Sequence, residues 1–177
     1  MSSELYPFDM PQYLQLKAAV LEHKKILFTG AHGAGKTYAM YRLVSLLKDE
    51  ISEDFRIFEF YPEAEIFSLS STVISQFGVS RLPALLGDSQ GSVRVFGDCT
   101  PMYTYPILAL CKEPEALITS LACRYPEDAK TALRVNVGEK FESMVDKSFD
   151  LIVHVKRTSY IDSFEAKPYI NVAIYSA

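Results

Sequence analysis

Four residues at fixed spacing, Gly30, Gly35, Lys36 and Thr37 in "GAHGAGKT", meet the pattern G-x-x-x-x-G-K-[ST]. Such a stretch can curl around a phosphate with its backbone N–H groups pointing inward. Glycine permits the turns and the close approach, and Gly33 adds a third pliable point. A helix opening at Lys36 would turn its N-terminal partial positive charge on the same anion. Lys36 is then placed to reach the terminal phosphates, and Thr37 to offer a hydroxyl to Mg²⁺. The expected nucleotide-binding element is therefore Gly30, His32, Gly33, Ala34, Gly35, Lys36, Thr37 and Tyr38. Within it His32 reads as a loop-lining side chain rather than a base, since such a loop works through its backbone. Tyr38 and Tyr41 read most simply as helix packing, with adenine stacking as the alternative.

Hydrolysis needs two more kinds of group, an acid on another strand to organise the metal and a polar group to orient the attacking water. "VRVFGD" runs four extended residues into a glycine and then Asp98, the candidate for metal support; the alternative is an ordinary acid in a strand-ending turn. "RIFEFYPEAEI" offers Glu59 and Glu63 for water orientation or metal support, because ligands in open α/β sheets sit beyond the carboxyl ends of the strands. The alternative there is solvated loop acids.

These groups work only if strands and helices bring them together. "KKILFTG" is a short apolar run ending in glycine, and "KTYAMYRLVSLLKDEI" has helical periodicity through Met40, Leu43, Val44 and Leu47. A strand thus precedes the loop and a helix follows it, the context that distinguishes a phosphate loop from a chance glycine turn. Before them, "DMPQYLQLKAAVLEH" predicts a helix capped by Asp9, with Pro11 in its first turn and an apolar stripe of Tyr13, Leu14, Ala18, Val20 and Leu21. "FRIFEF", "SVRVFG", "ALITSLA", "FDLIVHV" and "YINVAIY" read as further strands, the last as an antiparallel edge. Alternation with helical segments predicts an α/β fold, mainly parallel and flanked by helices. "SLSSTVISQFGVSRLPALLGDSQGS" and "RTSYIDSFEAKP" carry turn-forming residues.

The chain has 177 residues, 49% of them hydrophobic, enough for one domain with a buried core and too few for two large ones. Residues 1–177 are expected to form a single nucleotide-binding domain. A net charge of -4 argues against a dominant surface for nucleic acid or anionic lipid. Cys99, Cys111 and Cys123 are odd in number and lie near no histidine at a metal-finger spacing, so they read as reduced thiols. No signal-peptide pattern opens the chain, and no apolar run approaches the roughly 20 residues that span a bilayer. The expectation is a cytoplasmic protein. His23 and His154 have no partners at ligand spacing. Lys156 and Arg157 read as a solvated strand end, with a membrane or partner contact as the alternative.

Taken in order, several segments resemble the traffic ATPases of type IV secretion and conjugation, relatives of those of type II secretion and type IV pili. "LKAAVLEHKKILFTGAHGAGKT" resembles their helix, strand and Walker A loop, "FEFYPEAEI" their acidic box, and "VRVFGD" their Walker B strand. "LALCKEPEALITSLACRYPEDAKTALRV" resembles their helix, histidine-box strand and following helix, and "FDLIVHVKR" a later strand, so the resemblance spans about Leu16 to Arg157. It implies a RecA-like P-loop fold, ATP with Mg²⁺, a ring of protomers, and work at a membrane-associated secretion or pilus complex from the inner face. Phe60 stands where the acidic box usually has Asp, Asp98 where Walker B usually has Glu, and Leu121 at the expected histidine; "GDCTPM" lacks the Arg that commonly follows Walker B. The family generally carries an N-terminal domain, and the first 15 or so residues before the nucleotide domain are expected to be too few to form one.

Three functions remain open at this level. The first is an ATPase motor or assembly factor. The second is a nucleotide-binding regulatory or structural partner without hydrolysis, since losing one transition-state group removes orders of magnitude in rate while binding survives. The third is a small-molecule kinase, disfavoured because the arginines are scattered rather than gathered in a lid; Arg124 or Arg81 acting across a subunit boundary is the alternative to plain surface positions.

Overall fold

The computed structural model describes residues 5–59, 63–73, 92–158 and 169–177. Helix α1, Met10–Leu21, opens on a capping box: Asp9 Oδ1 accepts from Gln12 N at 2.8 Å, and Asp9 N donates to Gln12 Oε1 at 3.1 Å. Strand β1, Lys25–Gly30, is buried at every position and leads through the glycine loop into α2, Lys36–Lys48. Then come β2, Asp54–Glu59, a 3-10 turn at Ala64–Phe67, and β3, Thr72–Val73. After β4, Ser92–Phe96, helix α3 covers Pro101–Leu110, β5 Leu117–Ala122, and α4 Ala129–Val137. Strands β6, Leu151–Thr158, and β7, Tyr169–Ser176, close the order.

Among the described residues the strands form one seven-stranded sheet in the order β3-β2-β4-β5-β1-β6-β7. Every pairing is parallel except β6 with β7, so the alternating tail is the antiparallel edge that its sequence predicts. Side chains that alternate across the strands divide the core in two. Ile26, Phe28, Val93, Val95, Ile118 and Val153 pack with α1 and α2 on one face; Leu27, Phe96, Leu117, Leu121 and Ile152 pack with α3 and α4 on the other. In α2 the residues Met40, Leu43, Val44 and Leu47 are all fully buried, as their period requires. Burial of each contributes about 1.5–3 kcal/mol, which fixes the helix that starts at the loop.

Two expectations change. The buried stripe of α1 is Tyr13, Leu16, Ala19 and Val20, whereas Leu14, Ala18 and Leu21 face solvent. Both sets have helical spacing, so the period alone does not choose the face; docking on β1 does. Thr72 and Val73, inside a stretch rich in turn-forming residues, add a two-residue strand through pairing with Phe58 and Glu59. Most of that stretch, including Arg81, lies outside the described residues, as do Phe60 and nearly all of "RTSYIDSFEAKP".

Candidate functional site

The two helix starts are built differently. At α2 the N-cap is Gly35, with φ 93° and ψ 22°, and no side chain caps the helix. A left-handed residue of that kind favours glycine. A Cβ at Gly35 would also sit 2.6 Å from Cδ1 of Ile170 on β7, so the edge strand wedges the loop from outside. Gly30 has a second reason to be glycine: its Cβ would run into the carbonyl oxygen of Val155 on β6. With no cap and no acid in the first turn, the N–H groups of α2 are left for an external anion.

Beside this start lies a cleft of about 250 Å³ lined by His32, Gly33, Lys36, Thr37, Tyr41, Glu59, Glu63, Gly97, Asp98, Thr100 and Ser120. Lys36 is 8% exposed, and its Nζ donates to Ala31 O at 3.1 Å. Burial lowers its pKa, partly offset by the nearby Asp98 carboxylate. Asp98 carries the reverse shift: burial raises its pKa, opposed by Lys36 and by hydrogen bonding from Ser120. The Ser120 hydroxyl lies 2.7 Å from Gly97 O and 3.3 Å from Asp98 Oδ1, so its single proton favours the carbonyl; the Cys99 N–H and the nearby His32 also favour the Asp98 carboxylate, yet burial outweighs them. A desolvated cation and a desolvated carboxylate thus share one cleft, each lacking full compensation.

The two glutamates differ sharply. Glu59 is 2% exposed, and both of its oxygens are occupied: Tyr41 donates to Oε2 at 2.6 Å, Ala64 N to both, and Ser71 Oγ to Oε1. It ties β2 to α2 and to the following turn, and the bond helps burial raise the Tyr41 phenol pKa. Glu63 is exposed on the cleft rim.

Of the sequence-predicted residues, His32, Gly33, Lys36, Thr37, Glu59, Glu63 and Asp98 come together here. Gly30, Ala34, Gly35 and Tyr38 are not in the lining; Tyr38 instead packs edge-on against Phe67 at 5.4 Å and tilted to Tyr6 at 6.2 Å. Sequence reasoning missed Ser120. Leu121, at the position expected for a histidine, is buried in the α3 and α4 core, and the neighbouring Ser120 turns into the cleft. A small polar residue inside the apolar strand "LITSLA" was the available signal.

Among the described residues, no three His, Cys, Asp or Glu side chains gather as a metal cluster. Mg²⁺ bound with a nucleotide needs no such cage, since it takes one or two protein oxygens and completes its shell with phosphate and water. Thr37 and Asp98 are hard oxygen donors of that kind on one cleft, so the residues fit the ion.

No protein-family model matches the sequence, and no curated protein matches it. Solved structures do. The ATPase DotB of Legionella pneumophila superposes with a TM-score of 0.72 at 14% identity, over 91% of this chain and 48% of its own. The VirB11 ATPase of the Brucella suis type IV secretion system, in complex with sulphate, gives 0.66 at 18% identity over 99% and 57%. The pilus retraction motor PilT with bound ADP gives 0.67 at 12% identity over 97% and 55%. The fold is that of the traffic ATPases. The chain spans about half the length of these structures. In this traffic-ATPase fold no helix among the described residues is long and apolar enough to cross a membrane.

Proposed function

We propose that residues 1–177 act as one nucleotide domain that binds ATP with Mg²⁺ in the cleft beside α2 and hydrolyses it in the service of a secretion or pilus machine. One observation carries this reading: an uncapped helix start and a buried Lys36 share a cleft with Thr37, Asp98 and Glu63. The loop N–H groups and Lys36 hold the phosphates, Thr37 and Asp98 hold the metal, which neutralises phosphate charge, and Glu63 faces the water. The proposal extends to a ring of protomers in the cytoplasm, working at the inner face of a membrane, which the sequence's resemblance to the traffic ATPases implies. Tyr38 is retained as a side chain near the base rather than the phosphates.

The second reading, a nucleotide-binding partner without turnover, draws on Glu59 and Leu121. Glu59 is committed to Tyr41, Ala64 and Ser71, and a leucine buried in the core replaces the histidine of the resemblance. Steady-state ATP hydrolysis, measured with solution mass in wild type and Asp98→Asn, separates the two. Turnover that Asp98→Asn lowers by about tenfold or more supports the motor. ATP bound without turnover in either protein replaces it with the second reading, and failure of wild type to bind ATP sinks both.

A further inference from the structure

The phosphate loop has an outer side as well. Ala31 to Ala34 form one wall of a second cleft of about 730 Å³, completed by Arg124 and Tyr125 beyond β5 and by residues 154–158 at the end of β6. It sits at the carboxyl end of β6, where His154, Lys156 and Thr158 from one face and Val155 and Arg157 from the other all line it. Among the described residues no carboxylate lines it, whereas His32, Arg124, His154, Lys156 and Arg157 all do, in a chain whose net charge is -4. Glu127 and Asp128 are near enough to act on His154 and Cys123 respectively, but they stay outside the lining.

Two details make this more than a basic rim. His154 is 2% exposed; its Nδ1 lies 2.9 Å from Thr29 Oγ1, and its Nε2 is buried with no hydrogen-bond partner among the described residues. A buried ring nitrogen without a partner is destabilising unless something supplies one. Arg124 is held with its guanidinium 5.4 Å from the centroid of the Tyr125 ring, which orients the cation and leaves an aromatic face beside it. Guanidinium and ammonium groups suit phosphate oxygens, and the volume is that of a small-molecule site.

We propose that this outer cleft binds a small phosphate-bearing organic anion, with its phosphate on Arg124 and Lys156 above His154 and its ring on Tyr125. His32 and Gly33 line both clefts, so an occupant on either side bears on the same loop. The site itself does not depend on nucleotide binding at Lys36.

The test uses full-chain Lys36→Ala protein, which loses the inner cation and its bond to Ala31 O but keeps every charged and aromatic residue of the outer cleft. Inorganic pyrophosphate and ADP are titrated by calorimetry while the histidine ring nitrogens are followed by NMR. Saturable binding is expected for both, with ADP the tighter, and the His154 signals should move while those of His23 stay. Arg124→Ala with Lys156→Ala, both exposed and checked for an unchanged melting curve, should weaken binding at least about tenfold. Tyr125→Ala should erase the advantage of ADP over pyrophosphate. Absence of saturable binding below about 10 mM, binding indifferent to the double substitution, or an unmoved His154 overturns the site. Equal affinity for the two probes overturns the ring contact.

Discussion

The starts of α1 and α2 solve the same problem in opposite ways. Both leave orphan N–H groups, and at α1 the side chains of Asp9 and Gln12 close the end. At α2 a left-handed Gly35 offers no side chain, and the end stays open. The carboxylates repeat the contrast: Glu59 is saturated with donors, while Asp98 is desolvated beyond what its donors offset. Closed ends hold the fold together; open ends are where a ligand adds what is missing.

The largest break in this contrast is Lys36→Ala. We predict a loss of ATP affinity of about a hundredfold or more, with thermal stability unchanged or higher because a desolvated cation is removed. Titration with a fluorescent ATP analogue and a melting curve check it, and retained affinity would sink the site assignment. Next, Glu59→Gln should lower stability by about 1–3 kcal/mol, since Tyr41, Ser71 and Ala64 lose a charged acceptor, while Glu63→Gln should leave it within about 0.5 kcal/mol. Urea denaturation of the pair decides that point.

Asp9→Ala should lower stability by about 1 kcal/mol and leave ATP affinity untouched, which calorimetry and denaturation together can show. The smallest effect concerns acid. The folded pKa of Asp98 lies above its unfolded value, so stability is greatest below the ordinary aspartate range and declines as pH rises through the raised value. Asp98→Asn should remove that decline and gain about 0.5–1 kcal/mol at neutral pH, measured as the pH dependence of unfolding. A wild-type curve that instead rises across the same window would refute the burial account.

The strand, loop and helix around Lys36 were legible because their signals are local: an apolar run, glycines and a 3.6-residue period agree. The docking face of α1 was not legible, because Leu14, Ala18 and Leu21 keep the period as well as Tyr13, Leu16 and Val20 do. Glu59 and Glu63 look alike in sequence, and only folding shows that donors from α2, the turn after β2 and the approach to β3 converge on one of them. His154 illustrates the same limit. A lone histidine in "LIVHV" gives no hint that three strand ends enclose it in a basic cleft.

Ile170 against Gly35 has a consequence in time rather than in space. Synthesis runs from Gly35 to Ile170 at about 5–20 residues per second, so on the order of ten seconds separate the loop from its wedge. During that interval α2 can form on the sheet while the loop lacks its outer support. The phosphate loop is thus completed well after its own residues are made.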